Sequence, residues 1–341
     1  MVTKRLAVIL VFTLLSLGAA ACGGGGGGTT TLPEDPKGAA EVAGFHDFHS
    51  GNLEIILKVN RNMSGHPEKV EMRMTGPFTK ADDGGLPEVS MGIESHGLLD
   101  GQEIDYNTAV TLLRNQLGFT YGPTEAEKTY RVDKEAFEKL KSDLEDAQGE
   151  GGEGDAGSCL EAAGDFHLSQ ILQRASFEGT SETLDGTKLT VVGADLDLPA
   201  AIEQLIELSS DPACGAQLEA IGVPPVPPVP QLEKLGKQLQ DSVAESRVTL
   251  GLDKQARVRS LKAVAKVELP HEDELEVELS ARLDNANEAI EMPIPEGMTP
   301  FASLLKKFGV DTQTLEEADG DEVFLSFLEV TALGVFGHDP P

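Results

Sequence analysis

The sequence predicts an α+β fold: a curved antiparallel sheet with helices packed on its concave face. Two observations carry this. Short runs of apolar–polar alternation fall in two blocks, one within residues 44–148 and one from Arg247 to Leu283, and period-two runs broken by turn residues mean antiparallel strands joined by hairpins. Between the blocks the apolar period lengthens to that of helices, and those helices are what the sequence supplies to cover the sheet's apolar side.

The chain begins with a leader. Lys4 and Arg5 precede an apolar run from Leu6 to Leu17, about the length of a signal-peptide core and too short to span a bilayer. Gly18-Ala19-Ala20-Ala21 then meets Cys22, a pattern that resembles the bacterial lipobox, with alanine where leucine is usual three residues before the cysteine. Residues 1–21 are therefore expected to be a lipoprotein signal peptide, with Cys22 acylated. Residues 22–43, opening with the six glycines Gly23–Gly28, are expected to be a flexible tether. The protein is placed on the extracytoplasmic side of the cell membrane, held there by its lipid.

In the first block Leu53, Ile55, Leu57 and Val59 share one parity, opposed by Glu54 and Lys58. Val70, Met72 and Met74 repeat the pattern, as do Val89, Met91 and Ile93. Asn107 to Arg131 is expected to hold two more strands, around Val110-Thr111-Leu112 and Gly118-Phe119-Thr120-Tyr121. Asp133 can cap a helix over Lys134–Ala147, where Phe137, Leu140, Leu144 and Ala147 fall on one face.

Gly149 to Ser158 is a Gly/Glu-rich loop. Helical spacing is expected again from Cys159 to Ala175, followed by a hairpin over Phe177–Val192 that turns at Asp185-Gly186. Leu198–Leu208 and Gln231–Glu245 are expected helices. The VPPVPPVP run of Val223–Pro230 between them is a stiff spacer. Three long strands close the pattern: Arg247–Leu252, Val258–Leu269 and Glu274–Leu283. In the last, Leu275, Val277, Leu279, Ala281 and Leu283 face inward. Long strands suit a strongly curved sheet, and such a sheet, imperfectly filled by helices, leaves an apolar hollow.

The chain has 27 Lys+Arg against 58 Asp+Glu, a formal charge of −31. Such a field repels phosphate backbones, so nucleic acid is not an expected partner. With Cys22 carrying lipid, Cys159 and Cys214 remain, and in an oxidising exterior that even remainder suggests a disulfide. The loop it closes would stabilise by about 4 kcal/mol on the chain-entropy estimate.

Several chemical motifs fail on inspection. His46 and His49 lack a third ligand at a recognisable spacing, so no metal site is assigned. Glu316–Glu322 lacks the residue order of a calcium loop. No GxSxG, P-loop, HExxH or GxGxxG occurs in context, and abundant carboxylates without geometry assign no acid–base pair. The chain is expected to be non-enzymatic and to need no cofactor. It has no Trp and three Tyr, which disfavours sugar platforms and cation cages. Met63, Met72, Met74 and Met91 suit soft, chain-like ligands.

The run Arg247-Val248-Thr249-Leu250-Gly251-Leu252-Asp253, then Val258-Arg259-Ser260-Leu261, and a close at Glu291-Met292-Pro293-Ile294-Pro295 resembles the final portion of the LppX/LprG group of envelope lipoproteins. Gly118-Phe119-Thr120-Tyr121 followed by Tyr130-Arg131-Val132-Asp133 and a helix is similar to the group's middle portion. The resemblance covers residues 44–295. It implies the LolA/LolB-like fold, an open half β-barrel with helices against its concave side, and a cavity for lipid acyl chains.

The implied domains are the half-barrel over 44–300 and a C-terminal extension over 301–341. The implied role is binding lipid or another hydrophobic ligand for transport or presentation across the envelope, with an envelope transporter as partner. Candidate cavity residues are Leu53, Ile55, Leu57, Met72, Met74, Met91, Ile93, Leu250, Val267, Val277 and Leu279. A structural or regulatory lipoprotein with a filled core is the alternative. A two-lobed solute receptor would need alternating βα units, which are absent.

Overall fold

The computed structural model describes residues 31–44, 48–63, 66–80, 87–99, 101–123, 128–132, 134–135, 137–138, 171–197, 200, 242–269, 273–294, 298–301 and 303. Within them the alternating runs form strands β1 (Ser50–Met63), β2 (His66–Thr79), β3 (Glu88–Leu99), β4 (Gln102–Leu113), β5 (Gln116–Pro123) and β6 (Lys128–Arg131). After these come β7 (Leu172–Leu184), β8 (Thr187–Leu196), β9 (Val243–Leu252), β10 (Val258–Leu269), β11 (Asp273–Asp284) and β12 (Thr299–Pro300).

All twelve belong to one open, unclosed sheet in the order β12-β6-β5-β4-β3-β2-β1-β11-β10-β9-β8-β7. Every pairing is antiparallel except that of β12 with β6. The two sequence blocks meet at β1 and β11, where Leu53, Ile55, Leu57 and Val59 stand opposite Leu283, Ala281, Leu279 and Val277. The free edge at β7 is broken by three register shifts, which blunt it against pairing with another chain.

The turn at Asp185-Gly186 is where the Asp-Gly signal puts it. Both residues have positive φ (48° and 73°), as a two-residue turn matched to strand twist requires. Elsewhere the structure corrects the sequence expectation. Asn107–Arg131 contributes to three strands, because β6 is a separate four-residue strand. The helix expected to run to Ala175 gives way to β7 at Leu172, and the helix expected to reach Glu245 gives way to β9 at Val243.

Lys134, Glu135, Phe137 and Glu138 are helical, as are Ile171 and Ala200. Apart from these and from the stretches that join β7 and β9, the four expected helices, the 149–158 loop, the polyproline run, Cys22, His46, Cys159, Cys214 and Glu316–Glu322 lie outside the described residues. Among the described residues the sheet therefore carries one assigned helix, α1 (Pro36–Val42), where several covering helices were expected.

That helix lies in the stretch expected to be tether. Asp35 caps it by accepting from Gly38 N at 2.7 Å, and Pro36 occupies its first turn. Its Ala39 and Ala40 are too few to register as an apolar stripe, yet both are buried in the main core. The chain around it is also tied down. Leu32 N donates to Lys254 O at 3.2 Å and Val258 N to Gly44 O at 2.8 Å.

The core lies on one face of the sheet. Val192 and Leu196 of β8, Val248 and Leu250 of β9, Leu261 to Val267 of β10 and Leu275 to Ala281 of β11 form one buried cluster with α1. At the far end Phe119 and Phe301 meet edge to face at 6.2 Å, with Leu117, Tyr130 and Phe137 also buried.

Over β1, β2 and β9–β11 the other face carries a charge ladder, while on β8 Leu189 and Val191 are buried on that side. Arg73 pairs with Glu54, Lys58 with Glu71 at 3.8 Å, Lys262 with Glu278 at 3.4 Å, and Lys266 with Glu276 at 3.4 Å and Glu245 at 3.6 Å. The Glu54 hydrogen bond raises the pKa of Arg73, and the charge of Glu276 raises that of Lys266. These exposed pairs add little stability; what they secure is a wet, polar side.

Two inward ties close the β9–β11 end. Asp253 accepts from Gln255 N, Arg257 N and Arg257 Nε within its turn, and the Arg257 guanidinium sits 5.1 Å from the Phe48 ring centre. Arg259, buried, donates to Leu283 O at 3.0 Å and to Asp185 at 2.9 Å, while Asp185 also accepts from Asn285 N. The β7–β8 turn is thus clamped to β10 and to the end of β11.

Candidate functional site

Register assembles the site from the middle strands. Ile55 pairs across with Met74, and Met74 with Ile93. One step along, Leu57 pairs with Met72, and Met72 with Ser95; one step further, Val59 pairs with Val70, and Val70 with Gly97. On the next strand Met91 stands opposite Val110 and Val89 opposite Leu112. Because side chains alternate strictly between faces, all of these share the face that carries the core.

Coverage changes along that face. On β11, Val277 and Leu279 are 0% and 2% exposed. On β1, Leu57 is buried but Leu53, Ile55 and Val59 are only half-buried. On β2 and β3, Val70, Met72, Met74, Val89, Met91 and Ile93 are all half-buried. Burial returns on β4 and β5 with Thr108 and Phe119. The result is an apolar strip, packed at both ends and partly open in the middle.

Two glycines lie along it. Gly76 stands beside Leu53, and a Cβ there would lie 1.8 Å from the Ser90 carbonyl oxygen. At Gly97 a Cβ would lie 2.1 Å from that of Lys69. Both glycines have φ values (158° and 148°) that L side chains rarely adopt. Such glycines let long strands bend and let neighbouring backbone approach closely.

The candidate cavity residues accordingly divide into two groups. Leu53, Ile55, Met72, Met74, Met91 and Ile93 come together in the half-buried strip. Leu57, Leu250, Val267, Val277 and Leu279 sit in the packed cluster. Val59, Val70, Val89, Val110, Gly76 and Gly97 belong to the strip but were not among the candidates. Continuing each strand's parity would have found them.

One charged pair shares this face. Arg61 of β1 and Glu68 of β2 are register partners with an ion pair between them, and Arg61 also stands opposite Leu275. Their side chains are 13% and 12% exposed. A hollow of about 790 Å³ lies on the polar side of β2–β4, bordered by Lys69, His96, Leu98, Glu103 and Asp105. Pro67, Gly97 and Ile104 also border it, so it adjoins the strip at Gly97. No helix among the described residues is long and apolar enough to cross a membrane, and no three His, Cys, Asp or Glu side chains among them gather as a metal site.

No family model matches the chain, the LppX/LprG group included, and no curated protein matches it. Solved structures to which the chain is similar include two from bacteria. One is a DUF1329 family protein from Desulfovibrio piger, 12% identical, with 71% of this chain and 88% of that one covered and a TM-score of 0.19. The other is a putative outer membrane lipoprotein-sorting protein domain from Vibrio parahaemolyticus, 9% identical, covering 75% and 91%, with a TM-score of 0.14. At such values the likeness carries no functional weight.

Proposed function

We propose that this protein is a lipid-anchored, extracytoplasmic, non-enzymatic lipoprotein that holds a lipid or another hydrophobic ligand in a half-barrel built like the LolA/LolB carriers. The observation that supports this is the half-buried strip over β1–β3, flanked on both sides by packed core. A largely apolar sheet face must be covered, and a protein in water gains by covering all of it. Ile55 and Met72 pack against the core cluster, and the exposed part of Leu53, Ile55, Met72, Met74, Met91 and Ile93 is the apolar surface a hydrophobic ligand would cover.

The energetics are adequate. Each methylene transferred from water contributes about 0.8 kcal/mol. About ten buried methylenes then supply about 8 kcal/mol, a micromolar affinity before ordering costs. The methionines adapt to an irregular chain where stiffer side chains would dictate one shape. A lipid on Cys22 would keep the protein beside a membrane that can supply the ligand.

Native mass spectrometry of protein purified from its own host tests this. The expected result is a bound lipid that organic extraction removes. Protein that arrives without lipid, and takes none from vesicles of host lipid, would favour the alternative of a filled scaffold acting through protein contacts.

A further inference from the structure

The strip is apolar along β1 from Leu53 to Val59, and at Arg61 it turns charged. Among the positions of β1 from Leu53 to Arg61 on this face, and those paired with them on β2 and β11, Arg61 and Glu68 are the only charged residues. We infer that Arg61 is the headgroup ligand of the site, and that the hydrophobic ligand is an anionic amphiphile with a carboxylate or phosphate head. This rests on the proposed function.

Three physical points support it. A largely buried ion pair on an apolar face is a poor stabiliser, since apolar residues of similar volume serve as well or better there. A guanidinium accepts a carboxylate or phosphate through two parallel hydrogen bonds, so a ligand anion can take the place of the Glu68 carboxylate without leaving the charge unpaired. The dimensions also match. Leu53 to Arg61 spans about 27 Å at strand rise, ample for an acyl chain that occupies about 15 Å in one bilayer leaflet. Glu68 is then the resident competitor, released toward the hairpin end, where His66 and Pro67 are exposed. Asp273, on the same face beyond Leu275, adds a second acidic group at that end, and the ligand's anion must outcompete both.

The test uses delipidated full-length protein and three probes with one alkyl chain: palmitate, cetyl phosphate and cetyl alcohol. The two anions bind wild type more tightly than the alcohol. Arg61→Gln weakens the anions about tenfold or more, the worth of one charge-assisted hydrogen bond, and leaves the alcohol unchanged. Glu68→Gln acts oppositely and tightens both anions. This second variant keeps the test decisive if Arg61→Gln folds poorly. The ranking of palmitate against cetyl phosphate identifies a carboxylate or a phosphate head. Overturning results are an anion-to-alcohol ratio unmoved by either variant, or tighter binding of a cetylammonium probe. If the alcohol binds while the anions gain nothing, the headgroup inference falls alone. If no probe binds, the lipid-binding function falls with it.

Discussion

Enlarging a side chain should have opposite consequences at two positions on the same face. Leu279 is 2% exposed and stands between Leu57 of β1 and Ala263 of β10, all in the packed cluster. Phenylalanine there overpacks a closed site at about 1–3 kcal/mol. In a domain of this size each kcal/mol lowers the melting temperature by about 2–4 °C, so Leu279→Phe should lose about 2–12 °C. Met74 stands between Ile55 and Ile93, and all three are half-buried. Met74→Phe adds bulk into partly open space, so its cost should stay below about 1 kcal/mol. The same bulk narrows the strip, and bound lipid should fall. The assay pairs thermal unfolding of delipidated protein with mass-detected lipid on protein from the host, because bound ligand itself raises the melting temperature. Met91→Phe, opposite Val110, should behave like Met74→Phe. If Met74→Phe destabilises as much as Leu279→Phe, or if lipid is unchanged in an intact fold, the strip is ordinary core and the carrier function is wrong.

Three further outcomes are expected. Asp185→Ala strips the buried Arg259 guanidinium of its carboxylate and should cost about 3–5 kcal/mol in denaturant unfolding; a loss below about 1 kcal/mol would show that Leu283 O suffices to hold Arg259. Cys22→Ser should move the protein from the membrane to the soluble fraction on fractionation, and unchanged membrane retention would remove the lipid anchor. Thiol labelling of unfolded, unreduced exported protein should be negative at Cys159 and Cys214, and quantitative labelling of either one would exclude the disulfide.

Which residues share a face was legible in the sequence. In a strand the side-chain period is two, so Leu53-Ile55-Leu57, Met72-Met74 and Leu275 to Leu283 sort themselves without knowledge of their neighbours. The Asp185-Gly186 turn was legible for a similarly local reason, since few dipeptides tolerate two successive positive φ values. Local signals also misled. Leu172 and Ala175 sit three apart and read as helical, but they belong to an edge strand whose bulges break the period of two. The strand β6 has four residues, too few for alternation to show.

Tertiary structure alone decided coverage. Leu279 and Met74 have the same pattern in sequence, yet one is sealed and the other half-open. β11 lies between β1 and β10 within the packed cluster, whereas β2 and β3 lie on the other side of β1. The burial of the Arg61–Glu68 pair, 13% and 12% exposed, is likewise a tertiary outcome, with Leu275 of β11 standing opposite Arg61. Burial depends on what strands far apart in the chain bring together, and periodicity within one strand contains no information about that.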